Sequence, residues 1–315
     1  MAFYLMATIS FAYFLLVIIT SPASSITHDE ECLALFEFKQ TILNQNYTTT
    51  SFSSIHKLDS WRLNTTISNK LNNSSDCCLW DGVVCSSNTS HVIELHLGES
   101  SIRGPITSNN SLFKLVHLLT LDLSGNDFVG SQIPSEIARL KQLKSLDLSG
   151  SGFGGEIPNE ISQLNQLSLL ALSFNSLKLQ TPSLLQNLTR LENLYLSKVN
   201  ISSSVPSFLA NFSSLTTIEV RDCHLQGKFP TAIFQLPKLK ILDLSLNPDL
   251  TGSLPEFRNN TLIEYLDLNT IGFSGKIPES IINLKHLEFL NLAESFFSWS
   301  VPGSLSNLTT LTIFS

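Results

Sequence analysis

Leu146-Asp147-Leu148-Ser149 recurs as Leu170-Ala171-Leu172-Ser173, Leu194-Tyr195-Leu196-Ser197, Leu242-Asp243-Leu244-Ser245, Leu266-Asp267-Leu268-Asn269 and Leu290-Asn291-Leu292-Ala293. Its second leucine falls at Leu148, Leu172, Leu196, Leu244, Leu268 and Leu292, with Val220 in the same phase, so the step is 24 residues each time. A fixed period of this length predicts a solenoid, in which each repeat buries its apolar face only against its neighbours. The x-Leu-x-Leu-x core of each repeat predicts a short strand with both leucines inward and the residues between them outward. Such a molecule offers a long regular surface and no enclosed pocket, which favours recognition over catalysis.

The rest of each repeat is also patterned. Three positions after the second leucine stands a turn residue: Asn126, Asn175 and Asn247, whose amides can bond backbone groups of the adjacent turn. Cys223 occupies this position in its own repeat, which predicts a buried structural thiol rather than a nucleophile or ligand. Ser151, Val199, Ile271 and Ser295 also replace the asparagine, so the ladder of turn bonds is expected to be interrupted there. Gly155-Glu156-Ile157-Pro158, Gly227-Lys228-Phe229-Pro230, Gly252-Ser253-Leu254-Pro255 and Gly275-Lys276-Ile277-Pro278 then predict a turn, an extended segment and a polar edge; Trp299 and Leu179 replace the glycine elsewhere. Segments such as Ile137-Ala138-Arg139-Leu140 and Ile281-Ile282-Asn283-Leu284 read as short helical turns on the opposite side. One-residue insertions fall at Gln132 and within Asn247-Pro248-Asp249-Leu250.

Ahead of the repeats, residues 1–25 read as a signal peptide: Met1 to Thr20 carries no charge, Ala7 to Thr20 is an apolar h-region too short to span a membrane, and Ala23-Ser24-Ser25 suits cleavage. Residues 26–90 read as a cap, which the first repeat requires to cover its leucine row and strand edge. Thr27-His28-Asp29-Glu30 has capping-box spacing and opens a helix over Cys32 to Leu43 with one face inward. Asn44 to Asp76 reads as a long surface loop tied down at Trp61. Cys32, Cys77, Cys78 and Cys85 cluster in the cap, and in a secreted chain four such cysteines imply two disulfides with three possible pairings. Eleven Asn-x-Ser/Thr sites agree with the secretory route: Asn46, Asn64, Asn72, Asn73, Asn88, Asn109, Asn187, Asn200, Asn211, Asn259 and Asn307. Of the adjacent pair, Asn72 is the one taken as modified. Asn187, Asn211 and Asn307 each lie 15 residues after a second strand leucine, which places them along one flank.

The combination resembles the plant-specific class of leucine-rich repeat, Leu-x-x-Leu-x-Leu-Ser-x-Asn-x-Leu-x-Gly-x-Ile-Pro. The cap is similar to the plant N-terminal cap in Cys32-x-x-Leu35, Phe38-Lys39, Ser60-Trp61 and Asp76-Cys77-Cys78-Leu79-Trp80-Asp81-Gly82-Val83-Val84-Cys85. The resemblance is strongest to receptor-like proteins of plant immunity. It implies an α/β leucine-rich-repeat solenoid, curved and twisted, with a disulfide-bonded N-terminal cap paired Cys32–Cys77 and Cys78–Cys85. It also implies an extracellular ectodomain at the plasma membrane that signals through a partner receptor kinase, having no kinase of its own. Residues 91–315 would hold about nine repeats and a tenth begun by Leu311. That tenth repeat has no cap after it, and the chain is therefore expected to be part of a longer protein.

No P-loop, His-Glu-x-x-His, nucleophile elbow or Gly-rich phosphate loop is present, so no enzymatic activity, cofactor or metal is expected. His91 and His96, five apart about the first strand, point to opposite faces. A net charge of −7 argues against nucleic acid as partner. Asp122, Asp147, Asp243 and Asp267 repeat one outward consensus site and read as structural or solubilising. Phe174, Tyr195, Lys198, Arg221, Tyr265 and Phe289 break the consensus on the outward face, and aromatics and arginine are the usual anchors of interfaces. Nine strands of about five residues would make a face of roughly 40 by 17 Å, on the order of 700 Å². That is close to the roughly 800 Å² one partner supplies to a standard protein interface. A peptide or protein ligand is therefore expected. Two other readings share the repeats: a secreted inhibitor of fungal pectin-degrading enzymes, and the ectodomain of a receptor kinase.

Overall fold

The computed structural model describes residues 26–43, 56–63, 76–298 and 302–315. The signal segment, Asn46, Asn64, Asn72, Asn73 and Trp299 lie outside the described residues. The strands of the long sheet are β1 (Val83–Cys85), β2 (Val92–His96), β3 (Thr120–Asp122), β4 (Ser145–Asp147), β5 (Leu169–Ala171), β6 (Asn193–Tyr195), β7 (Thr217–Glu219), β8 (Ile241–Asp243), β9 (Tyr265–Asp267), β10 (Phe289–Asn291) and β11 (Ile313–Phe314). They lie side by side in chain order. β1 runs antiparallel to β2, and every later pair is parallel.

The register explains the 24-residue step. Leu121, Leu146, Leu170, Leu194, Ile218, Leu242, Leu266 and Leu290 pair in sequence across the sheet and form one inward row. None of them is more than 2 % exposed. Burying each such side chain contributes about 1.5–3 kcal/mol, so the row is the main cohesive element of the solenoid. Most strands have three residues rather than the expected five, and the regular ladder is only about 10 Å wide. Turn residues on its flank supply the rest of the face.

On the opposite side the chain forms short 3₁₀ helices. Pro134, Pro158, Pro206, Pro230, Pro278 and Pro302 each stand at the N-cap of one, with φ between −65° and −70°. Proline fixes this dihedral, keeps the preceding segment extended and needs no donor at the helix start. The glycine-to-proline segments also pair with one another. Gly227–Lys228, Asn247–Gly252, Ile271–Gly275 and Phe296–Phe297 make a second four-stranded sheet, and Gly154–Glu156 pairs with Ser176–Lys178. The insertion after Asn247 appears as a bulge between Asn247 and Thr251. The repeat recovers its period because its return segment, 253–264, forms no helix.

The turn asparagines bind adjacent repeats together. Asn247 Nδ2 donates to the carbonyls of Val220 (2.9 Å) and Leu244 (2.8 Å), and its Oδ1 accepts from the N–H groups of Cys223 and Leu225, both at 3.0 Å. Asn126 and Asn175 bond likewise. The expected interruptions are fewer than the sequence suggested. Ser151 Oγ reaches Leu123 O at 2.6 Å, Ser295 Oγ reaches Leu268 O at 2.7 Å, and Cys223 Sγ reaches Leu196 O at 3.0 Å. A hydroxyl or thiol keeps the bond to the preceding repeat; only Val199 and Ile271, which have no donor, lose it.

The cap closes the first end. Helix α1 (His28–Leu43) starts with a reciprocal box: Thr27 N donates to Glu30 Oε2 at 2.7 Å, and Glu30 N donates to Thr27 Oγ1 at 3.3 Å. Cys32, Leu35, Phe38 and Ile42 face inward. The loop expected after the helix contains a second, four-residue helix, α2 (His56–Asp59). Trp61 is fully buried, stacks on Trp80 at 5.4 Å, and donates its indole N–H to Asp81 O at 3.0 Å. The disulfides are Cys32–Cys77 and Cys78–Cys85. Each contributes about 2–4 kcal/mol by restricting the unfolded chain.

Candidate functional site

The outward positions of the long sheet fall into parallel rows. One row runs Asp122, Asp147, Ala171, Tyr195, Glu219, Asp243, Asp267 and Asn291, one residue per strand and in register. Its aspartates tie their own strand ends. Asp122, Asp147, Asp243 and Asp267 each accept a hydrogen bond through Oδ1 from the backbone N–H two residues on, at 2.9–3.0 Å. The consensus aspartates thus have the structural role their repetition suggested.

Phe174 and Lys198 are not on strands. Both stand in the turn just past β5 and β6, with φ of +59° and +66°, where the preceding repeats carry Gly125 and Gly150 at +62° and +60°. The left-handed conformation turns both side chains out, and Lys198 Nζ lies 5.6 Å from the centre of the Phe174 ring. Such an exposed cation–π pair contributes about 0.5–1 kcal/mol. Tyr195 lies half-buried between Ala171 and Glu219.

The remaining three candidates, Arg221 in the turn after β7, Tyr265 on β9 and Phe289 on β10, lie beside a run of carboxylates. Tyr265 and Phe289 are cross-strand neighbours whose rings stack at 4.2 Å with planes 6° apart. Glu219, Asp243 and Asp267 succeed one another in the adjacent row, and Arg221 donates from Nη1 to Ser245 Oγ at 2.8 Å. The Tyr265 hydroxyl faces Asp267 Oδ2 at 3.4 Å.

Crowding of like charge on a partly dry surface shows in the acidities. Burial, then the Asp243 charge, pushes the Glu219 carboxyl up. Burial is also the main cause that raises Asp267, against its bond from Asn269. The Tyr265 hydroxyl is pushed up to about 12, first by burial and then by Asp267 and Asp243. The sign for the two carboxyls follows from linkage: each favours the folded state while protonated, and that contribution is lost as pH rises through its raised folded value. At neutral pH this patch therefore works against folding. The 24-residue phase puts Glu219 in the same outward row as Asp243 and Asp267; their partial burial is what the sequence does not give.

A second cluster escaped the sequence altogether. Glu31 of α1 is completely buried, and its carboxylate accepts from Val92 N (2.9 Å) and faces His91 Nδ1 (3.2 Å) and His117 Nδ1 (2.8 Å). The two imidazoles stack at 3.7 Å. Each ring addresses a different carboxylate oxygen, and a single ion cannot lie in both planes of a stacked pair. The cluster is a hydrogen-bonded clasp between the cap and the first two repeats. A signal was present: His91 and His117 each precede an inward leucine, Leu95 and Leu121, by four residues.

The sequons among the described residues stay off the long sheet. Asn187, Asn211 and Asn307 are exposed, each the last residue of a 3₁₀ helix, so their equal phase does place them on one ridge. Asn283 shares the phase without a sequon and donates to Phe257 O at 2.8 Å. Sugars at all three sites are expected to leave β2–β11 uncovered. Glycopeptide mapping of plant-expressed protein checks this, and three empty sites would remove it.

The family described as "Leucine-rich repeat region" matches residues 94–228. The chain is similar to "Receptor-like protein 6" of Arabidopsis thaliana, with 35 % identity over 82 % of this chain and 27 % of that protein. It is also similar to "Receptor-like protein Cf-9 homolog" of Solanum lycopersicum, with 53 % identity over 20 % of this chain and 7 % of that one. The chain thus spans about a quarter or less of the length of these relatives. Among solved structures it is similar to the Arabidopsis receptor kinase HAESA in complex with the peptide hormone IDA and the co-receptor SERK1. That match has a TM-score of 0.67 and 26 % identity, and covers 90 % of this chain and 52 % of the other.

Proposed function

We infer that this chain, which belongs to the plant leucine-rich-repeat receptor-like proteins, is an extracellular ligand-recognition region. In this reading it binds a peptide or protein along the outward face of the long sheet. The observation that carries it is the gathering of consensus-breaking side chains on neighbouring strands and turns: Phe174 with Lys198, Tyr195, Arg221, and Tyr265 with Phe289. Aromatic side chains and arginine held half-exposed on a rigid sheet are the residue types that anchor interfaces. The peptide-hormone complex of a structurally similar receptor supports the ligand class. The resemblance to receptor-like proteins supports a role in defence, a place on the secretory route and signalling through a partner receptor kinase.

Alanine at Tyr195, Lys198, Arg221 and Tyr265 together is expected to lower affinity for a ligand purified from treated plant tissue by at least a hundredfold while the melting curve keeps its shape. Unchanged affinity with folding intact would refute the assignment of the binding face.

A further inference from the structure

The strip from β7 to β10 joins three features. The first is a run of carboxylates with one cation among them. Among the described residues no ion pair joins Glu219, Asp243 or Asp267 to a cation; Arg221 acts on Asp267 from nearby, and its Nη1 is engaged by Ser245. The second is a nine-tenths-buried aspartate whose outer carboxylate oxygen keeps contact with solvent. Asp243 is 8 % exposed; its Oδ1 accepts from Ser245 N and Oγ, and its Oδ2 has no hydrogen-bond partner among the described residues. The third is the flat Tyr265–Phe289 stack on the next two strands, half-exposed and bordered by Ile241 and Ile313. Desolvated carboxylates side by side cost stability unless a cation covers them. The protein holds this arrangement on the surface where its partner is proposed to lie.

We propose that this strip reads a peptide carrying a lysine or arginine and, about three residues away, an aromatic or large apolar side chain. The basic head meets Asp243 Oδ2 between Glu219 and Asp267, and the apolar side chain lies on the Tyr265–Phe289 pair. The spacing follows from the sheet: Asp243 and Phe289 are two strands apart and two residues apart along the strand direction, about 12 Å. A peptide in the polyproline II conformation, with three residues per turn at about 3.1 Å each, puts side chains three apart on one face about 9 Å from each other, within the added reach of a long basic side chain. The aromatic platform serves the cation as well, since guanidinium and ammonium groups are attracted to ring faces. A chain of net charge −7 adds a long-range field of the same sign. This inference rests on the reading of the sheet face as the binding surface.

The test is selection of a phage-displayed random dodecapeptide library on the purified chain. Enrichment of Lys or Arg with an aromatic or large apolar residue three positions away is expected. The selected peptide should bind Asp243→Asn and Phe289→Ala at least tenfold more weakly, and Asp147→Asn, at the same row far from the strip, equally well. Asn at 243 keeps the Oδ1 acceptor for Ser245, and circular dichroism with thermal melting verifies the fold of each variant. In addition, Glu219→Gln should raise the melting temperature at pH 7, and the gain should shrink as pH falls, because the raised carboxyl takes up its proton first in the folded state. Peptides without basic enrichment, or equal binding by Asp243→Asn, would overturn the inference. If such peptides lost affinity with Tyr195→Ala instead, the general binding face would stand. A selection that yielded no peptide would count against both.

Discussion

Asn247→Ala is expected to cost on the order of 4 kcal/mol and to divide one thermal transition into two. The side chain satisfies four backbone groups around the β7–β8 turns: the carbonyls of Val220 and Leu244 and the N–H groups of Cys223 and Leu225. Asn247 itself is fully buried. Each buried group left without a partner costs about 1–3 kcal/mol, and water entering the vacated space recovers part of the total. Because repeats touch only their neighbours, the loss falls on one junction, and the halves on either side lose cooperativity with each other. Calorimetry would show a second, lower transition, and amide exchange would accelerate from Val220 to Leu250 before elsewhere. A single transition shifted by less than about 1 kcal/mol would mean the amide ladder is dispensable.

Glu31→Ala should have an effect of similar size at the capped end. Removing the carboxylate strands the Val92 N–H and both imidazoles, and each buried polar group left without its partner costs about 1–3 kcal/mol. Glu31→Gln should cost less, since one oxygen remains for Val92 while its amide N–H₂ faces a ring nitrogen. The expected reading is a lower urea midpoint together with early exchange in residues 28–43 and 92–122, the disulfides still closed. An alanine variant as stable as the parent would show that the cap is held by Trp61 and the cystines alone.

How much of this could be read from the residues differs by scale. The solenoid was fully legible, because the leucines that mark its period are the same ones whose register builds the sheet. Capping box, tryptophan anchor and turn asparagines were legible because each works through local backbone groups at a fixed spacing. Three things were not. Pairing between the glycine-to-proline segments depends on how closely successive repeats approach, and no residue type announces that. The Glu31 clasp joins residues 60 and 86 positions apart across two kinds of structure. The raised acidities of Glu219 and Asp267 come first from burial: the 24-residue phase gives the row, but not how far the surrounding side chains cover it. The candidate residues Tyr265 and Phe289 could be named from sequence, but their stacking had to be seen.

Cys223 shows what the turn position does to a side chain's reactivity. Its thiol is wholly buried, and burial pushes it up to about 12. Only the thiolate attacks disulfides or reacts with oxidants, and its fraction near neutral pH falls by about tenfold for each unit of such a rise. Once its repeat has closed, this cysteine is chemically silent toward the two cystines of the same chain. An odd thiol in an oxidising compartment usually invites mispairing and cross-linked dimers. On the proposed secretory route, the hazard would be confined to the interval before residues 199–247 fold, which would tie correct pairing to the order in which the cap and the middle repeats form.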